Sequence, residues 1–586
     1  MNAPAVDKRF AGQPTTTEDP LIDRLPPLPA LTGLRFFAAF FILFAHATDW
    51  IATFQNYNIR DKLSFVAMYG MPLFFVLSGF VIHYNYARLF GTVGTAQAVR
   101  EFATARFARL FPLYLVLLLF SVFADNFLAK TYGRTDLLLA ILAHYFSLTQ
   151  SWWYNIYEGQ SIIDWLFPLS WSISTETFFY LAYIGVAFLS FRLRSGRAAF
   201  WALITFCCAS ILMLVASRYF LAEFLGLARK TIPDYIDLND RFSSSFYRWL
   251  FYFSPYVRIL EFVAGCLVSH LIIRLRPLQC SATETRFRDV GLAAAFLLLV
   301  GAGLVKVGYG HETVVAAYVQ HLSNNFVCVP SIAYILFYVA RYDTRFTRLL
   351  SSPTLVALGE ASYSIYLVHT WTLRVFLRPE PALNGTFALD TVGRIAFGIA
   401  FTLVVSYATY QLIERPSRSW LRACLGRVGA TQALPPRPSG VSGPHISIKP
   451  ALVVTMLLLA VVVGGQAAKS EIPWRMLGRL WSGDRPEIEV LSASYGLNCK
   501  GTIGASIPVK RGNVTAPLAR SCNQRTRCEF SISAFRLGDP ASGCGKEFSV
   551  TYKCSRSDTI NSLIVEAEAD GKRAIIDCAA SSRAAE

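Results

Sequence analysis

The stretch LTGLRFFAAFFILFAHATDW, residues 31–50, is apolar over a length that can cross a bilayer, yet it contains Arg35 and His46. About 20 apolar residues suffice for a membrane-spanning helix, so the segment predicts one. Arg35 and His46 are eleven residues apart, which on an α-helix is about three turns and a rise of about 16 Å. Both side chains therefore lie on one face at two depths. Because a charge at mid-membrane costs at least about 2.5 kcal/mol, the pair indicates either a functional site or a buried pair satisfied by neighbouring helices.

The whole chain has the composition of a multi-spanning membrane protein. Of its 586 residues, 54% are hydrophobic and 16% are charged, and the mean hydropathy is +0.41. The net charge of +17 would favour nucleic acid if the basic residues formed a continuous stripe, but they fall in short clusters between apolar runs. We therefore expect membrane lipids, and no nucleic acid, among its partners.

Eleven apolar segments predict membrane spans. They are residues 31–50, 63–83, 107–124, 171–191, 200–221, 251–273, 289–306, 323–340, 353–377, 391–413 and 450–466. With the amino terminus in the cytoplasm, Arg and Lys concentrate in the inner loops, as the positive-inside rule requires. The shorter stretch at 136–153 is interpreted as a re-entrant or interfacial helix, because counting it as a span would move the later Arg clusters outside.

These segments predict five parts of the chain. They are a cytoplasmic tail (1–30), a membrane domain of ten helices (31–420), a Pro, Gly and Ser-rich cytoplasmic linker (421–449), an eleventh span (450–466) and an exported domain (467–586). The predicted fold class is an all-α polytopic membrane protein with about 11 transmembrane helices, followed by a small disulfide-rich β domain. The expected location is the inner (plasma) membrane, with the last domain in the periplasm or outside the cell.

Cysteines support this view of the last domain. Six of the twelve fall late in the chain, namely Cys499, Cys522, Cys528, Cys544, Cys554 and Cys578. An even, dense set predicts disulfides in an oxidising compartment. Short β-branched runs alternate with turns over 487–580, which is typical of a small β-rich domain. No metal site is predicted there, since this region has neither a CxxC pair nor a histidine.

Four further ionisable residues fall within predicted spans: Glu176, Arg258, Glu261 and His369. The predicted topology puts all four in the outer half of the membrane, together with His46. Arg35 alone would lie nearer the cytoplasm. The sequence thus predicts a polar track that leads from a cytoplasmic entrance to an outward-facing reactive layer.

Several motifs occur in the order of a known family. They are the spaced Arg35 and His46, GMPLFFVLSGFVI (70–82), RFARLFPLY (106–114), SWSISTETFFY (170–180), RILEFVAG (258–265), LGEASYSIYLVH (358–369) and SYATYQLIERPSR (406–418). Over roughly residues 28–420 the chain resembles the membrane acyltransferase 3 family, whose members O-acylate surface and exported polysaccharides. One departure is Thr177, which stands where the family more often has a second acid and leaves Glu176 as the candidate carboxylate.

The resemblance implies an O-acetyltransferase, an enzyme that transfers groups other than amino-acyl groups. The donor would be cytoplasmic acyl-CoA, expected to be acetyl-CoA, and the acceptor a sugar hydroxyl of an exported or surface polysaccharide. No permanently bound cofactor is expected. The candidate catalytic residues are His46 as general base, Glu176 as the carboxylate that orients its ring, and Arg35 on the path of the donor.

Candidate substrate-binding residues follow from the same motifs. They are Arg106, Arg109, Arg258, Glu261, Tyr363 and His369. Arg106 and Arg109 are three residues apart and can clamp the phosphates of CoA, although Arg residues at such positions also serve as plain topology anchors. Direct acyl transfer and an acyl-histidine intermediate both remain open.

The last domain carries a second resemblance. The fragments ASYG (493–496) and GDPASGCGKEFSVTYKC (538–554), with the cysteine spacing, are similar to the sea-urchin-egg-lectin type of galactose- and rhamnose-binding domain. Leu497 and the Ala-Ser pair at 541–542 depart from that pattern. The resemblance implies a carbohydrate-binding module. Two other functions stay open: a proton-coupled transporter, which also uses polar residues along a membrane track, and a membrane-anchored lectin receptor without catalysis.

Overall fold

The chain divides into two compact units in the computed structural model, Met1–Glu471 and Ile472–Glu586. The structure describes residues 25–49, 65–124, 127–131, 134–232, 235–236, 244–276, 279–308, 314–376, 389–426, 488–499, 509–523, 525, 527–537, 544–555 and 559–578. The first unit is mostly helical and the second contains more strand than helix, so each is described by itself.

The helices of the first unit follow the apolar segments of the sequence. They are α1 (Pro29–Asp49), α2 (Ala67–Thr92), α3 (Thr95–Ala124), α4 (Phe127–Lys130), α5 (Thr135–Ser147), α6 (Trp171–Ser190), α7 (Gly196–Tyr219), α8 (Leu221–Thr231), α9 (Phe246–Arg248), α10 (Pro255–Leu275), α11 (Ala282–Gly308), α12 (Val314–Ser323), α13 (Val329–Arg341), α14 (Arg345–Leu350), α15 (Pro353–Glu360), α16 (Ser362–Phe376), α17 (Leu389–Thr409) and α18 (Arg415–Gly426). Two π-helical turns interrupt the series, at Trp249–Phe253 before α10 and at Tyr410–Glu414 between α17 and α18.

Eight stretches within the described residues are long and apolar enough to cross a membrane. They are Pro29–Thr48, Ala67–Thr92, Thr95–Phe123, Pro168–Ser190, Gly196–Tyr219, Phe246–Leu275, Ala282–Val307 and Val392–Leu421. Each corresponds to one of the eleven predicted spans. The protein is therefore a multi-pass membrane protein, although the predicted count of eleven is not confirmed.

The remaining three predicted spans differ from the expectation. The 323–340 span is the 13-residue helix α13, which at 1.5 Å per residue is only about 20 Å long. The 353–377 span is two helices, α15 and α16, that break at Ala361. The eleventh span, 450–466, and nearly all of the predicted linker lie outside the described residues.

Helix α3 is much longer than its hydropathy predicts. It begins at Thr95, twelve residues before the predicted start at 107, and runs for 30 residues. The added turns contain several strong helix formers and no Gly or Pro, so nothing in that stretch ends the helix. As a result Arg106 and Arg109 lie within a helix rather than at its entrance.

Helices α2 and α10 cross with their backbones in close contact. A Cβ atom at Gly79 would overlap the carbonyl oxygen of Phe262, and one at Gly265 would overlap that of Val76. The two glycines thus let the backbones of both helices touch, which is how small residues pack membrane helices together. Gly33 on α1 likewise allows close packing, because a Cβ atom there would overlap the carbonyl oxygen of Leu350.

The segment between α5 and α6 folds into the helical unit. Helix α5 has 13 residues, and a short hairpin of β1 (Ile156–Tyr157) and β2 (Gln160–Ser161) follows it. Tyr145 is fully buried, and its hydroxyl donates to the carbonyl oxygens of Ile162 and Ile163. This short helix agrees with the predicted absence of a membrane span at 136–153.

The second unit is built from two small antiparallel sheets and three disulfides. The strands are β3 (Ile488–Tyr495), β4 (Arg527–Ser531), β5 (Phe548–Cys554), β6 (Ile560–Val565) and β7 (Arg573–Asp577), in the orders β3-β5-β6 and β4-β7. Two helices, α19 (Thr515–Cys522) and α20 (Ala534–Leu537), accompany them. The disulfides are Cys499–Cys544, Cys522–Cys528 and Cys554–Cys578. The predicted small, disulfide-rich β domain is therefore confirmed.

Candidate active site

A cavity lies among α1, α2, α3, α6 and α16. Arg35 from α1, Arg109 from α3 and Glu176 from α6 all line it. The residues that α2 contributes run from Met71 to Ile82, a rise of about 16 Å along that helix. Together with Tyr363 from α16, four of the predicted site residues, each from a different helix, therefore face one elongated space.

The guanidinium groups of Arg35 and Arg109 are the cations of this cavity. Arg35 interacts electrostatically with Arg109, Glu414 and Glu176. Arg109 also interacts electrostatically with Glu414. No hydrogen bond or ion pair from a described residue reaches either guanidinium. Two such groups beside a cavity form a binding site for an anion, because Arg presents a planar set of donors that matches phosphate and carboxylate.

Glu176 is held in place by hydroxyl groups. Its Oε1 accepts hydrogen bonds from Ser78 Oγ at 2.7 Å and from Tyr180 Oη at 2.8 Å. Its predicted partner, His46, makes its ring contact elsewhere. The structure thus places Glu176 with Arg35 along the cavity.

The side chains of Arg106 and Arg109 have different surroundings, although the two residues are one helical turn apart. Its Nη2 donates to Tyr86 Oη at 2.8 Å, and its guanidinium carbon lies 4.7 Å from the centre of that ring. Phe102 and Tyr180 flank the same guanidinium at 6.0 and 5.9 Å. Arg106 is 6% exposed and does not line the cavity, so the predicted Arg106–Arg109 clamp is not formed. Arg35 is the cation that shares the cavity with Arg109.

His46 and His369 are in direct contact. Nδ1 of His46 lies 2.7 Å from Nε2 of His369, and the two rings are inclined by 14°. His369 is fully buried, and its Nδ1 lies 2.6 Å from the carbonyl oxygen of Tyr366. Helix α1 packs against α16 and so brings the two histidines together.

The contacts of this pair define its tautomers. A carbonyl oxygen only accepts hydrogen bonds, so Nδ1 of His369 carries a proton and donates to Tyr366. In neutral His369 the other nitrogen, Nε2, is then an acceptor, and Nδ1–H of His46 donates to it. The basic nitrogen of a neutral His46 is therefore Nε2. This is the arrangement of a general base whose ring is oriented by a second residue.

Tyr366 connects the histidine pair to the cavity. Its ring lines the cavity and lies 6.0 Å, centre to centre, from the ring of His369 one turn further along α16. Its hydroxyl accepts from Ser172 Oγ at 2.8 Å and donates to the carbonyl oxygen of Leu169 at 3.1 Å. The predicted residue Tyr363 lines the cavity as well, with its hydroxyl bound to the carbonyl oxygen of Leu110 at 2.8 Å.

Arg258 and Glu261 form a buried ion pair behind the cavity wall. Both side chains are essentially unexposed, and Arg258 Nη1 lies 2.7 Å from Glu261 Oε1. Arg258 Nε donates to the carbonyl oxygen of Tyr252 at 2.8 Å, and its guanidinium packs 5.8 Å from the ring of Phe75, a residue of the cavity lining. The pair is thus bound to its own surroundings and does not line the cavity.

The predicted single layer of five ionisable residues is therefore divided into three groups. His46 and His369 form one pair, Arg258 and Glu261 form another, and Glu176 shares the cavity with Arg35. Their common depth in the membrane stays a prediction, while their contacts separate them. Glu176 is bound to Ser78 in the middle of α2 and not to either of the two pairs.

Glu414 lies next to this site, bound to the neighbour of Tyr363, and the sequence does not predict it there. Its Oε2 accepts a hydrogen bond from Ser364 Oγ at 2.7 Å, and both residues are buried. Arg35 and Arg109 interact electrostatically with its carboxylate. The available signal was an acid within the quoted motif SYATYQLIERPSR, near the end of an apolar segment.

Two comparisons with known proteins match the helical unit. Residues 28–411 match the acyltransferase 3 family, described as an acyltransferase domain. The chain is also similar to Acyltransferase MdmB of Streptomyces mycarofaciens, with 29% identity over 402 residues that cover 67% of this chain and 92% of that protein. No solved structure matches the chain.

The fold and the site thus define a polytopic membrane enzyme of the acyltransferase class. Because the match covers more than half of its residues, the chain belongs to the acyltransferase 3 family. The match ends at residue 411 and does not extend to the disulfide-linked second unit.

Proposed function

We propose that the protein transfers an acyl group, expected to be acetyl, from cytoplasmic acyl-CoA to a sugar hydroxyl of an exported or surface polysaccharide. The observation that carries this proposal is the pair of guanidiniums, Arg35 and Arg109, beside a cavity that continues to Tyr366 next to the histidine pair. Acyl transfer from CoA requires two things of the protein: a binding site for the anionic carrier and a basic nitrogen.

The cation end of the cavity suits the charged part of CoA. Phosphate groups cannot enter lipid without compensation, and two Arg side chains can provide it. In this proposal Arg35 and Arg109 bind the phosphates or the pyrophosphate. Arg106 does not bind CoA and instead packs against Tyr86 and Tyr180. This replaces the Arg106–Arg109 clamp expected from the sequence.

The pantetheine arm would extend along the cavity towards Tyr366. The arm contains two amide groups, and the carboxylate of Glu176 can accept a hydrogen bond from an amide N–H. Glu176 would thus serve donor binding. The residue that orients the ring of His46 would be His369, and not Glu176 as the sequence predicts.

The chemical step needs only His46 as a base. Nε2 of His46 takes the proton of the acceptor hydroxyl while its oxygen attacks the thioester carbonyl. The carbon–sulfur bond then breaks, and the thiolate recovers the proton from His46. The products are an ester and free CoA, with no net proton released. His369 stabilises the transient imidazolium because its acceptor nitrogen, Nε2, receives the hydrogen bond from Nδ1–H of His46.

The orientation of the chain and the role of the second unit complete the proposal. With the amino terminus in the cytoplasm, the Arg35 end of the cavity faces the donor and the His46 end faces the exported acceptor. The second unit would then be a carbohydrate-binding module that holds the acceptor glycan. Family membership favours this function over a proton-coupled transporter or a lectin receptor without catalysis.

Mass analysis of surface polysaccharide from wild-type and deletion strains tests the proposal. We expect the deletion strain to lose an acyl ester while the amount and composition of the sugar stay the same. Loss of the sugar itself would indicate transport, and unchanged acylation would reject acyl transfer to that glycan. Complementation with His46→Ala, which should not restore the ester, links the result to the site.

A further inference from the structure

We propose that Glu414 is a counter-charge that limits how tightly the Arg35–Arg109 site holds CoA and so speeds the release of CoA after transfer. This inference rests on the proposed function, because it concerns the same anion site.

The geometry of Glu414 separates its charge from direct contact. Among the described residues, the side-chain hydrogen-bond partner of its carboxylate is Ser364, at 2.7 Å. Within the residues that the structure describes, no ion pair joins Glu414 to Arg35 or Arg109. Both arginines, together with Arg418, nevertheless interact with its carboxylate through space. Glu414 therefore lowers the positive potential at the cavity without occupying the donors of either guanidinium.

A local irregularity of the helix brings Glu414 to this position. It is the last residue of the π-helical turn Tyr410–Glu414, which packs against α3, the helix of Arg109. A π-helical turn inserts an extra residue and re-aims the side chains beyond it, and such turns are frequent at functional sites. Ser364, one residue beyond the Tyr363 of the cavity lining, then holds the carboxylate.

A counter-charge answers a difficulty of this reaction. Acyl-CoA and CoA carry the same phosphates, so contacts at the phosphates bind donor and product equally and cannot favour turnover. With two half-buried guanidiniums at one site, such contacts are strong, and the product would leave slowly. A carboxylate near both cations weakens the binding of either anion and raises the rate of release.

The test is a comparison of Glu414→Gln with Glu360→Gln. The amide oxygen of Gln can still accept from Ser364, so Glu414→Gln removes the charge and little else. Glu360 is a matched control, because it accepts a hydrogen bond from Tyr410 Oη at 3.0 Å on the same turn, is exposed, and does not act on Arg35. Binding of CoA to the purified full-length protein in nanodiscs and steady-state acetyl transfer are measured for each.

We expect Glu414→Gln to bind CoA about tenfold more tightly and to turn over more slowly, with stronger inhibition by added CoA. Glu360→Gln should stay within about twofold of wild type on both measures. A merely structural role would weaken binding, so tighter binding with a lower kcat is specific to the counter-charge. Unchanged or weaker CoA binding by folded Glu414→Gln would overturn the inference.

Two further measurements keep the inference open to refutation. The double variant Glu414→Gln/Arg418→Gln leaves the sum of the two charges unchanged, and we expect its CoA affinity to return towards the wild-type value. This variant also serves if the single one fails to fold, since an affinity like that of wild type would then support compensation and a tenfold change would contradict it. If wild-type protein itself binds no CoA, the proposed function fails instead, which is a distinct outcome.

Discussion

Nδ1 of His46 and Nε2 of His369 lie 2.7 Å apart, and the carbonyl oxygen of Tyr366 determines which of them carries the proton. The two residues are 323 positions apart in the chain, on helices that pack side by side. A backbone carbonyl thus defines the tautomer of His369, which in turn defines that of His46. The base of the proposed reaction is prepared by a chain of hydrogen bonds that begins at the main chain.

Replacing either histidine should affect acyl transfer to a different extent. General-base catalysis contributes about 10²–10⁴-fold, and His46→Ala should lose all of it. His369→Ala keeps the base but removes its orientation, so we expect a smaller loss, on the order of tenfold. His369→Gln, whose amide oxygen can accept from Nδ1–H of His46, should retain more activity than His369→Ala. Initial rates of acetyl transfer at saturating donor measure all three.

A buried histidine elsewhere provides the control for these variants. His321 on α12 contacts Tyr247 Oη at 2.8 Å and Ser217 Oγ at 3.0 Å and does not line the cavity. His321→Gln removes a comparable buried ring without touching the proposed base. Rates as low in this variant as in His46→Ala would mean that the losses report general damage to the fold.

Arg109 and Arg106 should differ although the sequence treats them alike. Arg109→Ala removes a cation from the cavity, and a lost hydrogen bond to a charged group is worth about 1.5–3 kcal/mol, or about 10–100-fold in CoA affinity. Arg106→Ala removes the guanidinium that packs among Tyr86, Phe102 and Tyr180, so it should lower the unfolding temperature and leave CoA affinity nearly unchanged. Equilibrium binding and thermal unfolding of each variant separate the two effects. Equal loss of CoA affinity in both would restore the clamp expected from the motif.

The fold could be predicted from the sequence where periodicity and length carry the information. Eight of the predicted spans correspond to long apolar helices, and the six late cysteines form three disulfides. Hydropathy could not predict the start of α3 at Thr95, because its first turns are polar but helical. Nor could it predict the break at Ala361, since apolar residues continue on both sides of the break.

The site could be predicted as a set of residues but not as an arrangement. Spacing on α1 correctly placed Arg35 and His46 along one helix. The residues that surround Arg35 and His46 could not be predicted, because they depend on which helices pack together. The sequence predicts His369 as a substrate-binding residue and pairs Arg106 with Arg109. In the structure His369 contacts His46, and Arg106 binds Tyr86. Contacts between distant segments, such as Ser364 with Glu414, leave no local pattern in the sequence.

The crossing of α2 and α10 should be sensitive to a single methyl group. Gly79→Ala would force the two backbones apart, because the added Cβ overlaps the carbonyl oxygen of Phe262. Overpacking of this kind costs about 1–3 kcal/mol, so we expect a clearly lower unfolding temperature in detergent. Gly185→Ala on α6 is the matched control, since its added Cβ meets no atom within 4 Å beyond the neighbouring backbone of its own helix. Because Ala favours a helix over Gly by about 0.5–1 kcal/mol, this control should be neutral or slightly more stable.

The second unit should be dispensable for the chemistry but useful for the acceptor. It has its own buried core, which includes Leu518, Phe548 and Ile576, and the Cys554–Cys578 disulfide joins the end of β5 to the residue after β7. Its six cysteines are all paired, so protein made in an oxidising compartment should show no free thiol in this unit. Reduction should destabilise it by about 2–5 kcal/mol for a disulfide lost from a small domain.

Deleting the second unit separates acceptor capture from acyl transfer. A protein truncated after residue 449 should keep its rate on a small soluble sugar acceptor, because Arg35, Arg109 and the histidine pair all lie in the first unit. On the polysaccharide it should need a higher acceptor concentration, since a tethered binding module raises the local concentration without changing the reacting groups. A rise in KM for polysaccharide with an unchanged kcat is the expected pattern. If the truncated protein inserted normally but lost all activity on the small acceptor, a catalytic group would have to reside in the second unit.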